Sequence, residues 1–191
     1  MKRSAYITRL CRRIGRTRVF RITAALVAIL QVTVSFLSCT GKEKPLPVDI
    51  VRALVDAEVR LPSGALYFSE APIGSPEYLP TELLLSAYGL GIDLDEIESA
   101  AIRLSSGGHP CEFSVFLCKS SNAALDNAMF FRQRLDDLKK SASISSKKCG
   151  MTKDEYLEYL SDALIITSGR YVAFIISSDH PYAERIFRRL T

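Results

Sequence analysis

The chain has 191 residues, 48% of them hydrophobic, with 25 Lys and Arg against 21 Asp and Glu. That length and apolar share allow one domain with a real core and exclude global disorder. The net charge of +4 does not point to nucleic acid, because residues 1–38 hold eight basic residues and no acid. Removing those eight leaves 17 basic residues against all 21 acids, so residues 39–191 carry about −4 and repel phosphate.

The leader reads in three parts. Residues 1–21 are basic, from Lys2 to Arg21. Residues 22–38, ITAALVAILQVTVSFLS, are an apolar run of 17 residues without a charge, and Ser38 precedes Cys39. This is the organisation of a secretory signal, with the positive flank kept in the cytoplasm. Seventeen residues also reach the lower edge of a bilayer span, so an uncleaved N-terminal anchor helix is the alternative. In either case the domain is expected outside the cytoplasm. TGKEKPLP follows, short, polar and interrupted by Pro45 and Pro47, which suits a flexible tether over 39–47. A single domain is expected over 48–191.

The first helix is expected over about 48–59, where Val48, Val51, Val55 and Val59 recur at helical steps. Residues 61–80 are rich in Pro, Gly and Ser and read as a long loop, although they carry Leu66, Tyr67, Phe68 and Tyr78. A short helix starts at Pro80–Thr81 and stops at Gly89 or Gly91. EIESAAIRLS (96–105) alternates as a strand with Ile97, Ser99, Ala101 and Arg103 on one face. SSGGHP is a turn, and CEFSVFLCK (111–119) is the strongest strand, with Phe113, Val115 and Leu117 on one side. Ser120 or Ser121 offers an N-cap for a helix over roughly 121–140, with SASISSKKCG beyond it as a loop. KDEYLEYLSD is a short helix, ALIITS and YVAFIIS form a hairpin about Gly169–Arg170, and a last helix begins near Asp179–Pro181. The expected fold is therefore α+β in two layers. It has a four-stranded antiparallel sheet of two hairpins (a β-β-α-β-β-α core), with helices mainly on one face.

Few residues carry recognisable chemistry. Cys111 and Cys118 lie seven apart on one strand, more than about 20 Å and on opposite faces, so they cannot bridge each other. Without CxxC or a Cys/His cluster, no metal or redox cofactor is expected, and the cysteines read as small buried hydrophobes. Acidic IDLDEIE (92–98) lacks the glycine and closing glutamate of a calcium loop and reads as a solvated segment in which Asp93 or Asp95 caps a turn. His109 and His180 each precede a proline in a turn, and no serine sits in a nucleophile motif. Tyr67, Phe68 and Tyr78 are the candidate ligand-binding residues, since aromatic side chains dominate binding hot spots.

FLSC resembles the lipobox of bacterial lipoproteins, in which cleavage leaves an N-terminal cysteine carrying acyl chains; Leu37 and Phe36 depart from its commonest residues. Further on, YGLGIDLDEIESAAIRLS, EFSVFLCKSSNAALDNAMFFRQRLDDLKKS and GRYVAFIISSDHPYAERIF together resemble a family of small lipoproteins of Gram-positive bacteria whose domain has no assigned function. The resemblance covers roughly 48–190 and implies a domain tethered to the outer face of the cell membrane, with Cys39 as the lipid attachment site; it brings no catalytic residues. The expected function is a non-catalytic module binding an envelope protein or peptide. The alternative is an extracytoplasmic hydrolase assembled from separated Ser, His and Asp residues.

Overall fold

The structure is a computed structural model that describes residues 44–191. The leader, Cys39 and residues 40–43 of the expected tether lie outside the described residues. Among the described residues no helix is long and apolar enough to cross a membrane.

The chain runs through α1 (Pro47–Ala57), β1 (Gly64–Phe68), α2 (Thr81–Tyr88), a 3-10 turn (Leu94–Glu96), β2 (Ile97–Ser105) and β3 (Glu112–Cys118). It continues with α3 (Ser121–Cys149), α4 (Lys153–Ser161), β4 (Leu164–Ser168), β5 (Tyr171–Ile176) and α5 (His180–Leu190). The class is α+β, as expected, but the antiparallel sheet has five strands in the order β1-β2-β3-β5-β4. The two anticipated hairpins, β2–β3 and β4–β5, are joined by pairing of β3 with β5, from Glu112 opposite Ile176 to Leu117 opposite Tyr171.

The fifth strand, GALYF, comes from the segment expected to be a loop. It is short and half-exposed, and its pairing with β2, Gly64 opposite Ser105 through Phe68 opposite Ala101, is fixed by the open edge of β2 rather than by its own pattern. Gly64 permits this approach: a Cβ there would collide with the Leu104 carbonyl of β2.

Helices cover both faces, which corrects the two-layer expectation. On one face Tyr88 of α2, Phe131 and Ala142 of α3, and Tyr156 and Leu160 of α4 pack on Ile102, Phe116, Val172 and Phe174. On the other, Val48, Ile50, Val51 and Leu54 of α1 and Ala183, Ile186 and Phe187 of α5 pack on Phe113, Val115, Ala173 and Ile175. The reason lies in the central strands, which are buried at every residue. A strand apolar on both sides must be covered on both. Cys111 and Cys118 fall on opposite faces, both buried and free, so neither bridges the other. A register shift between Ile97 and Ser99 breaks the alternation of β2 and puts Ile97 with the first core, whereas Ala101 joins the second.

α3 is 29 residues long and includes the SASISSKKC segment expected to be a loop. No Pro or Gly interrupts it before Gly150, serine costs a helix little, and Ala142 and Ser146 are buried against its neighbours. Its ends are specified locally. The Ser120 side chain accepts from the Ala123 amide at 3.0 Å, and Gly150 closes the helix at φ 75° with its N–H on the Ser146 carbonyl. Thr152 and Glu155 form a reciprocal capping box at the start of α4, and Asp179 caps α5. Asp93 caps the 3-10 turn through the Asp95 amide, as the sequence suggested.

Candidate functional site

The turn of the β2–β3 hairpin gathers most of the domain's unusual polar chemistry. Gly107 and Gly108 take φ of 67° and 81°, values open to glycine. Gly108 also lets the turn meet the end of α3, since a Cβ would stand 3.2 Å from the Ser145 carbonyl. Between the turn, α3 and α4 lies a cavity of about 280 Å³, lined among others by Ser105, His109, Glu112, Arg134, Ser145 and Tyr156.

Glu112, at the start of β3, is 3% exposed and heads a buried network. Its Oε2 accepts from Nη2 and Nε of Arg134 on α3, at 3.1 and 3.3 Å. Its Oε1 accepts from the Tyr88 hydroxyl at 2.8 Å, and Ser114 Oγ lies 3.2 Å from Oε1 and 2.6 Å from the Tyr88 oxygen. Burial, and then the Glu112 charge, push the Tyr88 hydroxyl well above its ordinary range. Burial alone would lower the Arg134 guanidinium, but Glu112, together with Tyr88 and Tyr156, raises it above its ordinary value. The network is a closed ion pair that ties α2, α3 and β3 together.

The histidines do not form catalytic pairs. His109 Nδ1 accepts the Cys111 amide at 3.2 Å, and its ring sits edge-on to Tyr159 with centroids 5.2 Å apart. Burial, then Arg103, lower its pKa, so the neutral ring is favoured. His180 Nδ1 is 3.9 Å from Asp162 at the exposed start of α5, beyond hydrogen-bond distance. The cysteines are equally unsuited to nucleophilic work: burial pushes the Cys111 and Cys118 thiols up to about 11.

On the other side of β2, Arg103 is 4% exposed. Its Nη1 donates to Ser105 Oγ at 2.9 Å and approaches Cys111 Sγ at 3.7 Å, and its Nη2 donates to the Pro62 carbonyl. It borders a cleft of about 360 Å³ between α1 and β1. A third, open cleft of about 470 Å³ lies by α4 and is lined by Glu155, Glu158 and Asp162. Among the described residues no group of three or more His, Cys, Asp or Glu side chains could hold a metal ion.

The aromatic candidates are not gathered on one surface. Tyr67 is half-buried against the Phe116 core, whereas Phe68, the next residue of β1, packs on the opposite core with the Arg52 guanidinium 5.3 Å from its ring centroid. The Tyr78 segment lies beside the end of β1 in a parallel bridge, where Phe68 N–H donates to the Glu77 carbonyl at 2.9 Å. Arg103, Glu112, Arg134 and Tyr88 did not stand out in the sequence. The available signal was a Glu and an Arg inside segments otherwise fit for burial. Comparison with protein-family models, curated proteins and solved structures gave no match.

Proposed function

We propose that the protein is an extracytoplasmic domain tethered to the membrane through Cys39, acting as a non-catalytic binding module at the cell envelope with an envelope protein or peptide as partner. The observation that carries this reading is the change of character at Cys39. Every basic residue of the leader precedes it, with an uncharged apolar run between, and the first helix starts at Pro47, only eight residues later. A linker that short keeps the domain within a few nanometres of the bilayer. The polar groups of the domain support binding over hydrolysis. Glu112 is committed to Arg134 and Tyr88, His109 Nδ1 to its own turn, and neither histidine has a carboxylate within hydrogen-bond distance among the described residues.

Intact-mass analysis of protein extracted from membranes tests the anchor. A product starting at an acylated Cys39 is expected. Retention of Met1, or an unmodified product in the soluble fraction, would refute lipidation. Cys39→Ala should move the domain out of the acylated membrane fraction while leaving its thermal unfolding unchanged.

A further inference from the structure

On the binding-module reading, we infer that the cleft between α1 and β1 binds a carboxylate attached to a small apolar body, held by Arg103 and Arg52. The carboxylate is either that of a free organic acid or the C-terminus of a peptide ending in an apolar residue.

The main observation is a buried guanidinium that makes no ion pair among the described residues. Arg103 is 4% exposed, yet the ion pairs of the described residues are those of Arg134, Lys140, Arg170, His180 and Arg188, and none includes it. Its acceptors, Ser105 Oγ, Cys111 Sγ and the Pro62 carbonyl, are all neutral. Glu58, whose charge also reaches Cys111, accepts from the hydroxyls of Ser177 and Ser178 and makes no ion pair with Arg103. Burying an unpaired charge is costly, so a site of this kind is completed by an anion.

The geometry of the open donors gives the anion's shape. Arg103 Nε has no acceptor among the described residues, and Nη2 uses one hydrogen on Pro62. A guanidinium edge of Nε–H with an Nη2 hydrogen is a fork that takes the two oxygens of a carboxylate. Arg52, on the exposed face of α1, borders the same cleft and stacks on Phe68 without a carboxylate partner among the described residues.

The remaining walls select the body of the ligand. Val55, Leu61 and Leu66 line the cleft, whose volume of about 360 Å³ suits a group about the size of a leucyl or hexanoyl chain. Phosphate would match the charge but leave these apolar walls uncovered. Gly64 keeps the site open: a Cβ there would stand 3.0 Å from Arg103 Nη2.

The test uses the full-length protein in lipid nanodiscs with arginine labelled at Nε, titrated with hexanoate, acetyl-Ala-Leu, the C-terminal amide of that peptide, and inorganic phosphate. Saturable binding of hexanoate or of the free-acid peptide, with a shift of the Arg103 Nε resonance, is expected. The tighter of the two identifies the source. Arg52→Gln should weaken binding about tenfold and Arg103→Gln should abolish it. If Arg103→Gln fails to fold, Arg52→Gln and the wild-type Nε resonance decide. Equal binding of the amide, equal binding of phosphate, or no movement of the Nε signal overturns the inference. Such a failure with the acylated anchor intact leaves the tether reading standing, whereas loss of the anchor with binding retained overturns only the tether.

Discussion

Replacing Arg134 by Met should harm the domain more than replacing Arg134 and Glu112 together. The pair is closed at 3.1 Å, with Glu112 3% and Arg134 24% exposed. At an effective dielectric near 20, two charges at about 4 Å attract by about 4 kcal/mol. Breaking a buried pair from one side costs about 3–5 kcal/mol, because the remaining charge stays in the interior without its partner. Tyr88 and Ser114 still serve Glu112 after the substitution, so the lower end applies, about 3 kcal/mol. In a domain of this size that lowers Tm by about 6–12 °C. In Glu112→Gln/Arg134→Met no charge is stranded, and about 2 kcal/mol of the loss should return. Glu112→Gln alone should cost less than Arg134→Met, because the surviving guanidinium can reach water. Urea unfolding of the four proteins, followed by circular dichroism, completes the cycle. A coupling below about 0.5 kcal/mol, or a double variant weaker than Arg134→Met, would refute the view of this network as a compensated buried pair.

Other consequences follow from burial and capping. The Cys111 and Cys118 thiols are raised by burial from 9.0 to about 11, so unfolded chains release these protons first and stability should fall as pH rises from about 9 to about 11. The urea midpoint should drop over that window, and an undiminished drop in Cys111→Ala/Cys118→Ala would assign it elsewhere. His109 behaves oppositely: its pKa is lowered from 6.5, so its contribution is present above 6.5 and lost on acidification, and His109→Gln should flatten the profile just below pH 6.5. Thr152→Ala removes the bond from the Glu155 amide to the Thr152 hydroxyl, leaves the Thr152 amide on Glu155, and should cost about 1 kcal/mol, with faster amide exchange confined to the first turn of α4; unchanged exchange would show that the hydroxyl is dispensable.

The hairpins, the helices and the opposed faces of Cys111 and Cys118 were legible because each rests on a local pattern: period two, period 3.6, or a capping residue. What escaped was decided at a distance. β1 has five residues, two of them exposed, and becomes a strand because β2 offers an open edge and Gly64 allows contact. The last nine residues of α3 are serine- and lysine-rich but hold their helix through buried Ala142 and Ser146. The second helical layer was implied by the unbroken apolar run of β5, which alternation read on one face alone could not show. The Arg103 and Glu112 sites were hidden for a related reason. A charged residue in a strand reads as solvent-facing until the partner elements, here α1 and α3, are placed over it.

The Tyr171 hydroxyl donates to the Pro45 carbonyl at 2.8 Å, so the first described residues are fastened at the start of β5. This gives the domain a direction of mechanical resistance. A pull transmitted from the N-terminal side loads this bond and then α1, whose four core residues are seated over β2 and β3 rather than on an edge strand. Such a load shears α1 along the middle of the sheet and cannot unzip strands one pair at a time. Peeling would begin instead at the edge strands β1 or β4, neither of which holds the Pro45 end of the described residues.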